Sequence, residues 1–139
     1  MNGEGVLILG EPGTGKSGLA LRLIDEPGFG TSESPMRGRL ISDDQVIITR
    51  EENRLVASAP SSIRGKLEVR GLGIIDVPHN LTSQLALIVD LTAVGSYERL
   101  PDRKTTHVLG VEIPSLKIAP FEASAPVKLL LALRGCRVL

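Results

Sequence analysis

The sequence predicts an α/β fold built on a mixed, largely antiparallel sheet, and three observations predict it. A short apolar run, Val6 to Leu9, leads into the glycine-rich stretch Gly10 to Ser17 and then into helical spacing over Ser17 to Ile24, giving strand, loop and helix in succession. Residues 39–91 are rich in short β-prone runs separated by turn residues. A final apolar stretch, Ala123 to Leu133, returns to helical spacing. One helix, many strands and a closing helix depart from the strict βαβα alternation of an open parallel sheet.

Each element has its own signal. Glu26 to Arg37, with two Pro, two Gly and several Ser/Thr, predicts a loop after the first helix, long enough to move or to meet a partner. Arg39 to Asp44 reads as a strand ending in two carboxylates, and Gln45 to Arg50 as another. The charged turn Arg50 to Asn53 joins that strand to Arg54–Ala57, which makes a hairpin. Lys66 to Arg70 alternates as a half-buried strand does; Gly71-Leu72-Gly73 bends the chain, and Ile74 to Val77 continues as a further strand. The continuous apolar run of Leu85 to Leu91 predicts a strand buried on both faces. Val108 to Ile113 and Leu116 to Ile118 are shorter strands on either side of Pro114, and Pro126 suits the first turn of the last helix.

Composition narrows the functional classes. A chain of 139 residues suits one domain spanning residues 1–139. Sixteen basic residues balance sixteen acidic ones, so no basic field draws nucleic acid or an anionic membrane. Cys136 is the sole cysteine, which excludes disulfides and thiolate metal sites and predicts a cytoplasmic home. The N-terminus lacks the charged lead and long apolar stretch of a signal peptide, and the run from Leu85 to Val89 is too short to span a bilayer. Phe29, Tyr97 and Phe121 are the only aromatics, so Leu, Ile, Val and Ala must build the core and stacking platforms for single strands are not expected.

The chemistry begins at the loop. Gly10, Glu11, Pro12, Gly13, Thr14, Gly15, Lys16 and Ser17 spell an uninterrupted G-x-x-x-x-G-K-[ST]. Its glycines let backbone N–H groups wrap phosphate oxygens, and the helix that follows adds the positive end of its dipole. Lys16 would reach the β- and γ-phosphates, and the Ser17 hydroxyl would ligate Mg²⁺. Phosphoryl transfer also needs an acid near the metal and is helped by a base for the nucleophile. Asp90, after Leu-Ala-Leu-Ile-Val, and the Asp43-Asp44 pair, after Leu-Ile-Ser, compete for that part, and pattern alone divides them evenly. Chemistry favours the pair, because one carboxylate can orient metal or water while its neighbour accepts a hydroxyl proton. Glu68 and Arg70 lie two apart and so share a strand face, an acid for Mg²⁺ beside a guanidinium for phosphate. The plainer reading makes them an exposed sheet face.

Taken in order, GEPGTGKS, the Asp43-Asp44 of LISDD, LEVRGLGII with Glu68 and YERLP with Arg99 resemble the catalytic domain of HPr kinase/phosphorylase, the bacterial enzyme that phosphorylates a serine of the phosphocarrier HPr in the phosphotransferase system. The likeness covers nearly the whole chain and is closest to the short, single-domain proteobacterial form, including Ala-Ser-Ala-Pro-Val-Lys at the start of the last helix. It implies a P-loop core related to that of phosphoenolpyruvate carboxykinase, ATP and Mg²⁺ as cofactors, HPr as partner, and a homo-hexamer. Position by position, it implies Gly10 to Ser17 as the ATP loop, with Lys16 as a catalytic charge and Ser17 and Glu68 as metal ligands. Asp44 is implied as the base assisted by Asp43, and Arg99 as the arginine that steadies the transferring phosphoryl group. Asp90 then becomes a buried strand end.

Departures from the family pattern shape the expectation further. A catalytic histidine would lie further ahead of Gly10 than this sequence reaches, and His79 and His107 are expected at the surface or in loops. The region Ile118 to Ser124 lacks the arginine of the loop that serves phosphoserine hydrolysis, which favours kinase over phosphorylase activity. Gly28 to Arg37 is longer than the family's usual turn. Two other readings fit the same loop: a small-molecule kinase or phosphatase, and a regulatory module that binds nucleotide without transferring phosphate.

Overall fold

A computed structural model describes residues 3–92 and 103–135. Strand β1 (Glu4–Leu9) leads through the glycine-rich loop into helix α1 (Lys16–Asp25). A long connection then reaches the hairpin β2 (Ile47–Glu51) and β3 (Arg54–Ser58), and a short 3₁₀ turn, Ser61–Ile63, precedes a second hairpin, β4 (Lys66–Val69) and β5 (Gly73–Asp76). Strand β6 (Thr82–Leu91), the pair β7 (Lys104–Val108) and β8 (Val111–Ile118), and helix α2 (Ala125–Leu133) complete the described chain.

The main sheet runs β2-β3-β6-β8-β7, with β1 on the other edge of β6. Gln84 pairs with Glu4 on one side and Val56 on the other, so β3 holds the start of β6, and β8 joins it from Ile88 onward. The β1–β6 and β6–β8 pairings are parallel, whereas β2–β3, β3–β6 and β7–β8 are antiparallel. The expected mixed, largely antiparallel sheet is therefore present. The β4–β5 hairpin forms a small sheet of its own.

The apolar run of β6 serves two cores because of a bulge. Gly5 pairs with Leu85 but Val6 pairs with Leu87, so the register skips Ala86. Leu87 and Val89 consequently face α1 and α2, packing with Leu19, Leu23, Ile118, Ala125 and Leu129. Leu85 and Ile88 face the other side with Leu55 and Ile113. A third cluster, Ile24, Leu40 and Leu67, seats the β4–β5 hairpin against the end of α1.

Three expectations are corrected and one strand is added. Arg39 to Asp44 forms no strand; a single parallel bridge joins Leu40 to His79. The Ser42 hydroxyl donates to the Gln45 carbonyl and Asp44 takes a left-handed φ of 40°, so the chain turns where a strand would continue. The expected strand Val108 to Ile113 is cut by a turn at Leu109 and Gly110, whose φ values are 49° and 79°; Val111 to Ile118 is then one strand through Pro114, since β6 pairs with β8 only from Ser115 and Pro114 removes no bond on that edge. Strand β7 had no sequence signal. The last helix begins at Ala125 rather than Ala123, with Pro126 in its first turn as expected.

The loop after α1 is tied down rather than free. Gly28 and Met36 form an antiparallel bridge, Met36 is buried, Arg37 donates to the Ile24 carbonyl at 2.6 Å, and Arg134 at the end of α2 donates to the Ser34 carbonyl at 2.8 Å.

Candidate active site

The glycine-rich loop is shaped by local geometry. Gly13 has φ 85° and Gly15 has φ 97°, values that side chains strongly disfavour, which is why glycine stands at both. Thr14 closes the turn, its backbone N–H and its hydroxyl both donating to the Glu11 carbonyl, at 3.1 and 2.6 Å. Gly15 caps α1 without a side chain, leaving the first N–H groups of the helix aimed into the loop. Gly10 to Ser17 thus have the strand, loop and helix setting that their motif requires.

The acids arrive from other elements. The Ser17 hydroxyl makes a long contact, 3.5 Å, to Oδ1 of Asp43, while Oδ2 of Asp43 accepts the backbone N–H of Glu68 at 2.9 Å. One carboxylate therefore joins the start of α1, the turn after Leu40 and strand β4. Asp44 is exposed, and among the described residues its carboxylate has no hydrogen-bond partner. Lys16, Ser17, Asp43, Asp44 and Glu68 all line a cleft of about 550 Å³ that continues along the free edge of β1.

Glu68 lies on the exposed face of β4, with Leu67 buried beside it, but the strand ends at Val69, so Arg70 is an exposed residue of the hairpin turn and not a second residue on that strand face. Arg70 reaches toward the loop: a Cβ on Gly13 would lie 3.5 Å from its Nη2. That makes Arg70 a candidate phosphate contact, which the same-face spacing suggested without placing it. The hairpin that carries both residues is crosslinked by Lys66 and Asp76, directly opposed and 2.6 Å apart. Hydrogen bonding from the Lys66 ammonium, reinforced by its charge, holds the Asp76 carboxyl below its ordinary value.

Other sequence candidates lie elsewhere. Asp90 pairs with Leu9 and Lys117, and its alternation with Val89 turns it to the sheet face away from the helices. His79 sits against Gly65, its Nδ1 3.3 Å from the Val77 carbonyl, and His107 lies opposite Glu112 in β7; neither lines the cleft. Arg99 falls outside the described residues.

The donor set suits Mg²⁺, which takes one or two carboxylates and completes its octahedron with waters and phosphate oxygens. The Ser17 hydroxyl and the Asp43 carboxylate present two hard oxygens side by side, and Glu68 borders the same space. A trio of protein acids, which does not occur among the described residues, is not required.

A strand, a glycine-rich loop and a helix, with the Asp43 carboxylate brought to the first-turn serine, define a mixed α/β domain with a phosphate-loop arrangement. The chain belongs to the family described as the HPr Serine kinase C-terminal domain, whose profile matches residues 1–132. It is similar to the HPr kinase/phosphorylase of Prosthecochloris aestuarii, 35% identical over 129 residues, covering 84% of this chain and 35% of that protein. It is also similar to that of Limosilactobacillus reuteri, 37% identical over 131 residues, covering 85% and 38%. The chain thus spans little more than a third of the length of these curated relatives. Among solved structures, the Hpr(Ser) kinase/phosphatase from Coxiella burnetii matches with a TM-score of 0.76 at 28% identity, over 96% of this chain and 88% of that one.

Proposed function

We propose that this chain is a single catalytic domain, residues 1–139, of an ATP-dependent protein serine kinase that phosphorylates an HPr-type phosphocarrier protein in phosphotransferase-system regulation. The observation that carries the reading is the meeting of Ser17 with Asp43, which gathers Lys16, Asp44 and Glu68 around one cleft. Family membership supplies the acceptor, since the relatives carry HPr in their names.

In this reading the backbone from Gly10 to Ser17 holds the β- and γ-phosphates and Lys16 offsets their charge. Ser17 and Glu68 would hold Mg²⁺, which would supply positive charge against the phosphate oxygens and the leaving group, and Asp43, bonded to the Ser17 hydroxyl and the Glu68 N–H, would keep the two elements together and assist Asp44. The acceptor serine oxygen attacks the γ-phosphorus in line, the bond from that phosphorus to the β–γ bridging oxygen breaks, and ADP leaves. Asp44 takes the serine proton, for which an exposed carboxylate with no hydrogen-bond partner among the described residues is suited. Arg70, beside Gly13, and Arg99 supply positive charge to the transferring group. The absence of arginine between Ile118 and Ser124 favours kinase over phosphorylase activity. A core related to phosphoenolpyruvate carboxykinase, a cytoplasmic location and a homo-hexamer belong to the same proposal.

The test is transfer of label from γ-labelled ATP to HPr. Wild-type protein labels one HPr serine; Lys16→Ala and Asp44→Asn each lower the rate by at least about a hundredfold, the order of effect for a lost charge stabiliser or base. No label on HPr with Lys16 intact overturns the proposal, and turnover of a metabolite without any protein acceptor replaces it with a small-molecule kinase.

A further inference from the structure

Phe121 is 77% exposed in a chain with only two phenylalanines, and its position beside the loop is more telling than its exposure. A Cβ on Gly15 would lie 3.1 Å from Cζ of Phe121, 3.2 Å from its Cε1 and 3.2 Å from Cγ of Pro120. The aromatic ring and the proline therefore rest directly on the glycine-rich loop. The residue at position 15 must lack a side chain for that contact to exist.

The ring is presented by a fixed backbone. Arg22, one turn and a half along the helix that begins at Lys16, donates to the Pro120 carbonyl and, at 3.3 Å, to the Glu122 carbonyl. The Glu122 carboxylate is in turn paired with Lys128 of α2 at 2.6 Å. Ile118 and Ala119, just before, are 1% exposed. Both neighbours of Phe121 are thus anchored to the helices, and the side chain between them projects into solvent.

The topology says what the ring faces. Leu9, Asp90 and Lys117 lie side by side, so the parallel strands β1, β6 and β8 end at one edge of the sheet, where ligands of such sheets bind. The loop after β1 and the loop after β8 both leave from that edge. Asp43, Asp44 and Glu68 line the cleft along the outer edge of β1, whereas Phe121 comes from the β8 side. With the acids on the β1 side and Phe121 on the β8 side, a nucleotide whose phosphates occupied Gly10 to Ser17 would meet the acids at its reacting end and Phe121 at its nucleoside end.

We infer that Phe121, backed by Pro120, is the platform on which the base of a bound nucleoside triphosphate stacks. This rests on the reading of Gly10 to Ser17 as the triphosphate site. Stacking uses the π-face common to all bases, so the platform adds affinity for purine nucleotides while discriminating little between adenine and guanine.

The test compares binding of ATP, GTP and inorganic tripolyphosphate to the wild-type chain, Phe121→Ala and Phe121→Trp by calorimetry. The expected result is a loss of ATP and GTP affinity of about five- to a hundredfold in Phe121→Ala, the range that base–aromatic stacking spans, with tripolyphosphate affinity unchanged. Phe121→Trp restores nucleotide binding. The chain has no tryptophan, so the introduced indole is its sole such fluorophore, and ATP quenches it where tripolyphosphate does not. Equal losses for ATP and tripolyphosphate, or no loss for either, overturn the inference. A raised KM for the protein acceptor with unchanged ATP affinity also overturns it and assigns Phe121 to acceptor docking. Failure of the underlying reading looks different: the wild-type chain then binds neither ATP nor tripolyphosphate, and the inference falls with it.

Discussion

Asp43 accepts the backbone N–H of Glu68 at 2.9 Å with one carboxylate oxygen while the other meets the Ser17 hydroxyl at 3.5 Å. A single side chain thereby ties the hairpin bearing Glu68 and Arg70 to the loop helix. Its architectural and chemical parts are separable. Asp43→Asn keeps an oxygen for the Glu68 N–H but loses the charge, and is expected to melt near the wild type in urea while losing at least about a hundredfold in transfer rate. Asp43→Ala loses the hydrogen bond as well and is expected to be about 1 kcal/mol less stable than Asp43→Asn. Equal stability of the two variants would remove the architectural part.

Two glycines three residues apart, Gly15 and Gly18, have opposite expectations. Gly15 has φ 97° and the Phe121 ring beside it, so Gly15→Ala meets both strain and overlap and is expected to cost about 1–3 kcal/mol and to abolish tripolyphosphate binding. Gly18 lies within α1 with nothing within 4 Å of an added Cβ, so Gly18→Ala is expected to raise stability by up to about 1 kcal/mol. Chemical denaturation of the pair checks both signs.

Leu19 is fully buried between α1, β6 and α2. Leu19→Ala is expected to cost about 2–5 kcal/mol, the range for truncating a core leucine. Val127 on α2 is 44% exposed, and Val127→Ala is expected to stay within about 0.5 kcal/mol of wild type, as exposed substitutions do. Similar losses for both would mean that the core is not where the structure puts it.

Asp76 provides the pH prediction. Its folded-state pKa lies below the ordinary 3.8 because the Lys66 ammonium bonds to it. The unfolded chain therefore binds the proton more readily, and the contribution of the pair is present above the unfolded value and lost as pH falls through the folded one. Both groups are well exposed, so salt screens the effect and its size is small. NMR titration of the Asp76 carboxyl is expected to give a value below 3.8 that returns toward it in Lys66→Met and in molar salt. An unchanged value in Lys66→Met would assign the shift to another source.

Much of this architecture was legible because local rules governed it. The strand, glycine loop and helix around Lys16, the Arg54–Ala57 hairpin, the alternation of Leu67 and Val69 against Glu68 and Arg70, and the apolar run of β6 each carry their own periodicity. What escaped was settled by tertiary contacts. Strand β7 reads Lys-Thr-Thr-His-Val and lies at a sheet edge, so no burial imprints an apolar pattern on it. Arg39 to Asp44 has the composition of a strand, yet its backbone bonds to Pro78 and Asn80 and turns at Asp44. Adjacent aspartates look alike in a sequence; in the structure Asp43 meets Ser17, while Asp44, with left-handed backbone, is exposed. The approach of Phe121 to Gly15 had no local signature at all, since it depends on the parallel alignment of β1 and β8 across β6.

The edge position of β1 bears on the order in which these pieces can assemble. Among the described residues its sheet partner is β6, whose pairing begins at Gln84, so β1 and the loop after it are made well before the strand they pair with. Closing so long a stretch must precede any reward from the pairing, which places the assembly of the loop late in folding. A nascent chain halted before β6 carries the whole motif and none of its shape.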